Sequence, residues 1–132
     1  MFDFISIDWG SVNCGIALAN SQTKLILPYK VVPTKNILSM IHLEIKERPN
    51  TKKIVVGLPL NFRGQPTQTS ESVIKFVEIL TKQLLSTSLK IEMVNERGST
   101  KEFVELKNKS LTVDSLSAVK IMEFYFRNES HV

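Results

Sequence analysis

An α/β layer fold with a mixed sheet follows from two features of this 132-residue chain. Short apolar runs of strand length crowd the N-terminal part. Further on, such runs alternate with segments of helical spacing, and the five glycines and five prolines fall at apparent element ends. The early strands are close enough to pair as antiparallel hairpins, and the later ones require parallel crossovers.

Phe4-Ile5-Ser6-Ile7 reads as the first strand and runs into an Asp8-Trp9-Gly10-Ser11 turn. Gly15 to Ala19 forms the second strand. Leu25 to Val32 forms the third, and Pro28, which lacks an N–H, marks it as an edge or a break. Ile37, Met40, Ile41, Glu44 and Ile45 keep helical spacing, and Pro49 follows the helix end. Ile54-Val55-Val56 is continuously apolar and ends at Gly57, as a central strand buried on both faces does. Val73, Phe76, Val77, Leu80 and Leu84 outline a second amphipathic helix. Ile91 to Val94 gives a fifth strand ending at Asn95-Glu96. Ser99 and Glu102 make a capping box for a short helix with Phe103 and Leu106. A last helix spans about Asp114 to Arg127.

Composition narrows the class of function. Hydrophobic residues make up 42% and charged residues 23%, which excludes a disordered or collagen-like chain. No linker divides the sequence, so residues 1–132 are expected to form one domain. No apolar run is long enough to span a bilayer, and Met1 to Phe4 lack the basic start of a signal peptide, so the expected compartment is the cytoplasm and no membrane is involved. The single cysteine, Cys14, leaves neither an internal disulfide nor a cysteine-based zinc cluster and reads as a small buried residue. The net charge of +4 permits an anionic partner.

In parallel α/β sheets, ligands bind beyond the carboxyl ends of the strands. Three strands here end in short motifs: Asp8 to Ser11, Gly57 to Asn61, and Asn95-Glu96-Arg97. If those strands are parallel neighbours, Asp8 and Glu96 share a crevice. Asp114, at the start of the last helix, supplies a third carboxylate, or else only caps that helix. Three carboxylates repel one another, and a hard divalent cation such as Mg²⁺ or Mn²⁺ removes the repulsion. Two such ions can drive phosphodiester hydrolysis.

Several motifs resemble, in order and over nearly the whole chain, the YqgF/RuvX family. Its members carry the names Holliday junction resolvase and pre-16S rRNA nuclease. Ile5 to Ser11 is similar to that family's opening Asp-x-Gly-Thr/Ser turn, and Gly15 to Ala19 to the strand after it. Val55-Val56-Gly57-Leu58-Pro59-Leu60-Asn61 is the most specific match. Asn95 to Thr100 resembles Asp-Glu-Arg-Leu-Thr-Thr, and Val113 to Ala118 resembles Asp-Ser-x-Ala-Ala. The resemblance implies a ribonuclease H-like fold: a mixed five-stranded sheet with helices on both faces. It also implies a metal-dependent nuclease in which Asp8, Glu96 and Asp114 are catalytic metal ligands for Mg²⁺ or Mn²⁺. Precursor rRNA is the first expected substrate and branched DNA the second, with ribosomal particles as a further partner and a monomer or homodimer as the assembly. The chain departs from the family at Val12-Asn13-Cys14, where Lys-Arg is usual, at Asn95, at Gly98 and in a short 107–110 segment. These departures keep open a second class: a catalytically weak nucleic-acid- or ribosome-associated binding protein.

Gly10, Ser11, Gly57, Asn61, Arg63 and Arg97 are the candidate substrate contacts. Gly57 reads first as a turn residue and Arg63 as solvated surface, while Arg97 divides evenly between an ion pair and phosphate binding. Ser99 reads as a cap. Trp9 reads as a packing residue ahead of a base-stacking platform. Lys52, Lys53, Lys107 and Lys109 could extend a basic path but read as solvated. His42 and His131 have no partner at metal-ligand spacing.

Overall fold

The computed structural model describes residues 1–60, 67–97 and 113–129. The elements in chain order are β1 (Phe4–Asp8), β2 (Asn13–Ala19), β3 (Ile26–Pro33), a 3-10 turn (Thr34–Asn36), α1 (Ile37–Glu47), β4 (Lys53–Leu60), α2 (Gln68–Gln83), β5 (Lys90–Arg97) and α3 (Val113–Glu129). The short helix expected after Ser99 lies outside the described residues.

The five strands form one sheet in the order β3-β2-β1-β4-β5. β1 and β2 pair antiparallel, as do β2 and β3, while β1, β4 and β5 run parallel. This is the mixed sheet that the sequence predicts. Pro28 sits on edge strand β3, beside a register shift opposite Ile16/Ala17. Pro59 is tolerated inside β4 because it lies beyond the last β1–β4 pair, Ile7–Val56, so no β1 carbonyl waits for its missing N–H.

The alternation of side chains along each strand assigns the two faces. Ile5, Ile7, Ile16, Leu18, Ile54 and Val56 face α1 and α2, where Ile37, Met40, Ile41, Val73, Phe76 and Leu80 complete the larger core. Phe4, Ala19 and Val55 face α3 and meet Ile121, Met122, Tyr125 and Phe126 in a smaller one. Each fully buried Val, Leu, Ile, Phe or Met among these contributes about 1.5–3 kcal/mol. Thr67 caps α2: its side chain accepts from the Ser70 N–H at 3.2 Å, and its N–H donates to Ser70 Oγ at 2.9 Å. Ser70 Oγ also donates to the Pro59 carbonyl, which fastens the start of α2 to the carboxyl end of β4.

At the carboxyl edge of the sheet two boundaries differ from the sequence reading. β4 continues to Leu60, so Gly57 lies within the strand rather than ending it. β5 continues through Asn95, Glu96 and Arg97, paired with Leu58, Pro59 and Leu60. In both cases strand pairing overrides residues that favour turns.

Candidate active site at the carboxyl edge of the sheet

Because β1, β4 and β5 are parallel, their carboxyl ends share one edge. Asp8 is the last residue of β1, one position past the Ile7–Val56 pair. Residue 96 is level with Pro59 on the far side of β4. β1 and β5 are two strand spacings apart, about 10 Å. Asp8 shares strand parity with Phe4, and residue 96 with Val94. Phe4 and Val94 both pack in the α3-side core. Positions 8 and 96 therefore lie on one face as well as on one edge.

α3 brings the third position. Tyr125 packs on Phe4 at the amino end of β1, with ring centroids 6.2 Å apart, and its Oη accepts from Lys53 at the amino end of β4; Ala118 meets Ser6 further along β1, so α3 runs antiparallel to that strand. Ser6 Oγ donates to the Ala118 carbonyl at 2.7 Å, and both residues are fully buried. From this bond, two residues of β1 lead about 6.6 Å to Asp8. One turn of α3 leads about 6 Å in the same direction to Asp114. The single bond thus sets the start of α3 level with the end of β1. Asp114 is the second residue of α3, inside its first turn.

Small residues let the helix come close at this end. Ser115 and Ala118 are buried, and across from them β2 carries Gly15 and Ala17. The large rings of Tyr125 and Phe126 occupy the other end. Gly15 is the direct cross-strand partner of Asp8, and Gly57 follows Val56 on the other side. Asp8, partly buried, therefore has a residue without a side chain on each neighbouring strand.

The β1–β2 turn is fixed from the start of the 3-10 turn after β3. Thr34 Oγ1 donates to the Gly10 carbonyl at 2.6 Å, and the Thr34 N–H donates to the Val12 carbonyl at 2.9 Å. A Cβ on Gly10 would stand 2.4 Å from the Asn13 carbonyl oxygen, so this position requires glycine. Ser11 is exposed at the tip. The fold thus brings Asp8, Gly10, Ser11, Gly57 and the backbone positions of Glu96, Arg97 and Asp114 to one edge. Asn61 and Arg63 lie outside the described residues, as do Ser99, Lys107, Lys109 and His131.

The opposite edge is occupied by satisfied charges. The Asp3 carboxylate accepts from the Ser21 N–H at 2.8 Å and from Ser21 Oγ at 2.5 Å, and Lys52 is 3.8 Å away. Burial pushes the Asp3 carboxyl up, but the Ser21 bonds and Lys52 outweigh it and hold it below the usual range. Lys53 is more than a solvated turn lysine. It donates to Tyr125 Oη and pairs with Glu92 at 3.2 Å, contacts that overcome its desolvation and raise its pKa. Lys52 and Lys53 lie at the amino ends of the strands, so they do not lead a basic path to Asp8.

Elsewhere, Cys14 is fully buried. His42 meets Gln83 Oε1 at 2.6 Å. Glu44, which keeps the helical spacing of Ile37, Met40 and Ile41, is buried at 2% exposure and held by Tyr29 Oη at 2.9 Å, Lys30 at 3.0 Å and Arg48. Sequence reasoning missed Ser6 as the positioning residue. Its signal was available: a lone hydroxyl on the buried face of an apolar strand, two residues before Asp8, needs a partner.

A family model described as RuvX, Holliday junction resolvase, matches residues 3–128. A protein of Rickettsia bellii (strain OSU 85-389) named "Putative pre-16S rRNA nuclease" is 33% identical over 129 residues, covering 90% of this chain and 82% of the relative. The protein of the same name from Rickettsia rickettsii (strain Sheila Smith) is 31% identical with the same coverage. Among solved structures, the Fowlpox virus resolvase complexed with substrate Holliday junction DNA has a TM-score of 0.61 at 14% identity, covering 98% of this chain and 99% of that one. That likeness is one of fold, and it bears out the ribonuclease H-like architecture.

Proposed function

This chain belongs to the RuvX family of nucleases, and from that premise we propose that it is a divalent-metal-dependent nuclease that cuts RNA in maturation of the small-subunit rRNA precursor. The observation that carries the reading is the convergence of positions 8, 96 and 114 on one edge and one face, held by the Ser6–Ala118 bond. RNA is favoured over branched DNA because the relatives named for rRNA match at 33% and 31% identity, whereas the likeness to the Fowlpox resolvase is one of fold alone.

The donor set suits a hard cation. Asp8, Glu96 and Asp114 offer only carboxylate oxygens, the ligands of Mg²⁺ and Mn²⁺. Gly15 and Gly57 put no side chain next to Asp8 on either neighbouring strand. When bound there, the metal supplies Lewis acidity at a phosphodiester and lowers the cost of bringing an anionic substrate to three carboxylates. The protein's own part would be positioning: β1 and β5 offer two carboxylate-bearing positions on a rigid sheet, and α3 the third. Gly10 and Ser11 offer backbone N–H groups and a hydroxyl to a phosphate, with Asn61, Arg63 and Arg97 as further contacts. The compartment that fits is the cytoplasm, where rRNA precursors are processed. No helix among the described residues is long and apolar enough to cross a membrane.

The test is incubation of purified protein with rRNA precursor and with four-way junction DNA, in Mn²⁺, in Mg²⁺ and in chelator. We expect RNA cleavage with metal and none with chelator. Asp8→Asn, Glu96→Gln and Asp114→Asn should each lower cleavage by orders of magnitude. Their metal-free melting temperatures should hold or rise, because the cluster repels itself. Cleavage that survives chelation, or that all three variants retain, refutes the site. Tight RNA binding by a wild type that never cuts establishes the binding-protein alternative instead.

A further inference from the structure

Resting on the reading of this chain as an RNA nuclease, we propose that the groove beside Trp9 is a nucleotide subsite. In it the indole stacks on an unpaired base next to the phosphate at Asp8, and Lys35 and Lys75 hold the flanking phosphates.

Trp9 follows Asp8 directly, so their Cα atoms are about 3.8 Å apart. The two residues serve opposite faces: Asp8 shares parity with the α3-side core, whereas Trp9 packs on the core beneath α1 and α2. A strand of nucleic acid crossing this sheet edge therefore meets the carboxylate and then the indole within one or two nucleotides. Trp9 is only partly buried; its remaining surface lines a groove with Leu38, Phe76 and Ile79. The Thr34–Gly10 bond fixes the backbone just beyond it, so the ring stands on a rigid support.

The charges separate this groove from a simple packing defect. Its walls include Lys35 and Lys75 and no acidic residue. Both lysines are exposed, and neither has a carboxylate partner among the described residues. Lys30, Lys52 and Lys53, by contrast, are each ion-paired. An apolar aromatic floor under a rim of unneutralised cations complements a base and its phosphates. It does not suit a purely apolar ligand. Every base has a π-face, so stacking here would tolerate many sequences, but it requires an unpaired nucleotide.

Trp9 is the sole tryptophan, so its emission reports the groove directly. The experiment titrates the full chain with a single-stranded RNA dodecamer in chelator, following Trp9 fluorescence and, separately, the anisotropy of a labelled dodecamer. A DNA dodecamer serves as a second arm, and it too should quench, because base and phosphate are the recognised groups. We expect saturable quenching that weakens with salt. Trp9→Ala should weaken binding about tenfold, and Trp9→Phe should retain most of the affinity. Lys35→Ala with Lys75→Ala changes only exposed side chains, so folding is unaffected; this variant should weaken binding and flatten the salt dependence. Binding seen by anisotropy with unchanged Trp9 emission, and with affinity unaltered in the lysine variant, overturns the subsite and leaves the nuclease reading standing. Absence of any binding in chelator overturns the subsite, while cleavage with Mn²⁺ decides the nuclease reading separately.

Discussion

Replacing Ser6 by alanine removes one oxygen atom and tests the link between fold and site. The hydroxyl donates to the Ala118 carbonyl at 2.7 Å in a fully buried setting. A neutral hydrogen bond contributes about 0.5–1.5 kcal/mol net. The Ala118 carbonyl keeps its helical N–H partner four residues on, so it is not left bare. The cost should therefore be near 1 kcal/mol, a fall in Tm of about 3–5 °C for a chain of this size. Activity should fall further than this. The same bond sets the level of Asp114 against Asp8, and a misplacement of about 1 Å in a catalytic group can cost about a hundredfold. The assay pairs thermal melting with RNA cleavage at a temperature where the variant is fully folded. Glu44→Gln, on the opposite face, is the control: it destabilises the fold without touching the edge. Cleavage by Ser6→Ala at the wild-type rate, with the expected loss of Tm, would refute the positioning role. An unchanged Tm would refute the energetic argument.

Two other outcomes follow from the packing. Burial opposes ionisation of Glu44, but bonds from Lys30 and Tyr29 and the Arg48 charge overcome it, so its folded pKa lies below the ordinary value. Its stabilising effect is thus complete above about pH 5 and is lost as pH falls through the lowered pKa. Glu44→Gln should cost about 2 kcal/mol at pH 7, less than a fully buried pair because Lys30 and Arg48 reach solvent. It should also flatten the acid limb of stability against pH, leaving the part due to Asp3; an unaltered acid limb in urea melts from pH 3 to 7 would count against this. Gly10→Ala drives a methyl into the Asn13 carbonyl and should destabilise the chain by about 1–3 kcal/mol while lowering cleavage, checked by melting and activity together.

The strands were legible wherever apolar runs were continuous, as at Ile54 to Val56, or wherever proline betrayed an edge, as at Pro28. β5 was cut short because Asn95 to Arg97 carry turn chemistry, and only pairing with Leu58 to Leu60 shows that the strand goes on. Asp8 could be found from a strand running into a glycine turn. The level of Asp114 could not, since it depends on a contact between Ser6 and Ala118 that no local periodicity encodes. Helical spacing placed Glu44 on the inner side of α1, but its partners Tyr29 and Lys30 come from β3 and no local pattern names them. The groove beside Trp9 needed α2 in place before Lys75 came near it.

The late position of α3 in the chain bears on when such an enzyme becomes active. β1 and β5 are synthesised first, and the helix that carries residue 114 docks on them only afterwards. On the proposed reading, a nascent chain holding the whole sheet still lacks one of its three metal-binding carboxylates. A ribosome making this protein would therefore not carry an active RNA-cutting site on its surface until α3 has emerged and Ser6 has found Ala118.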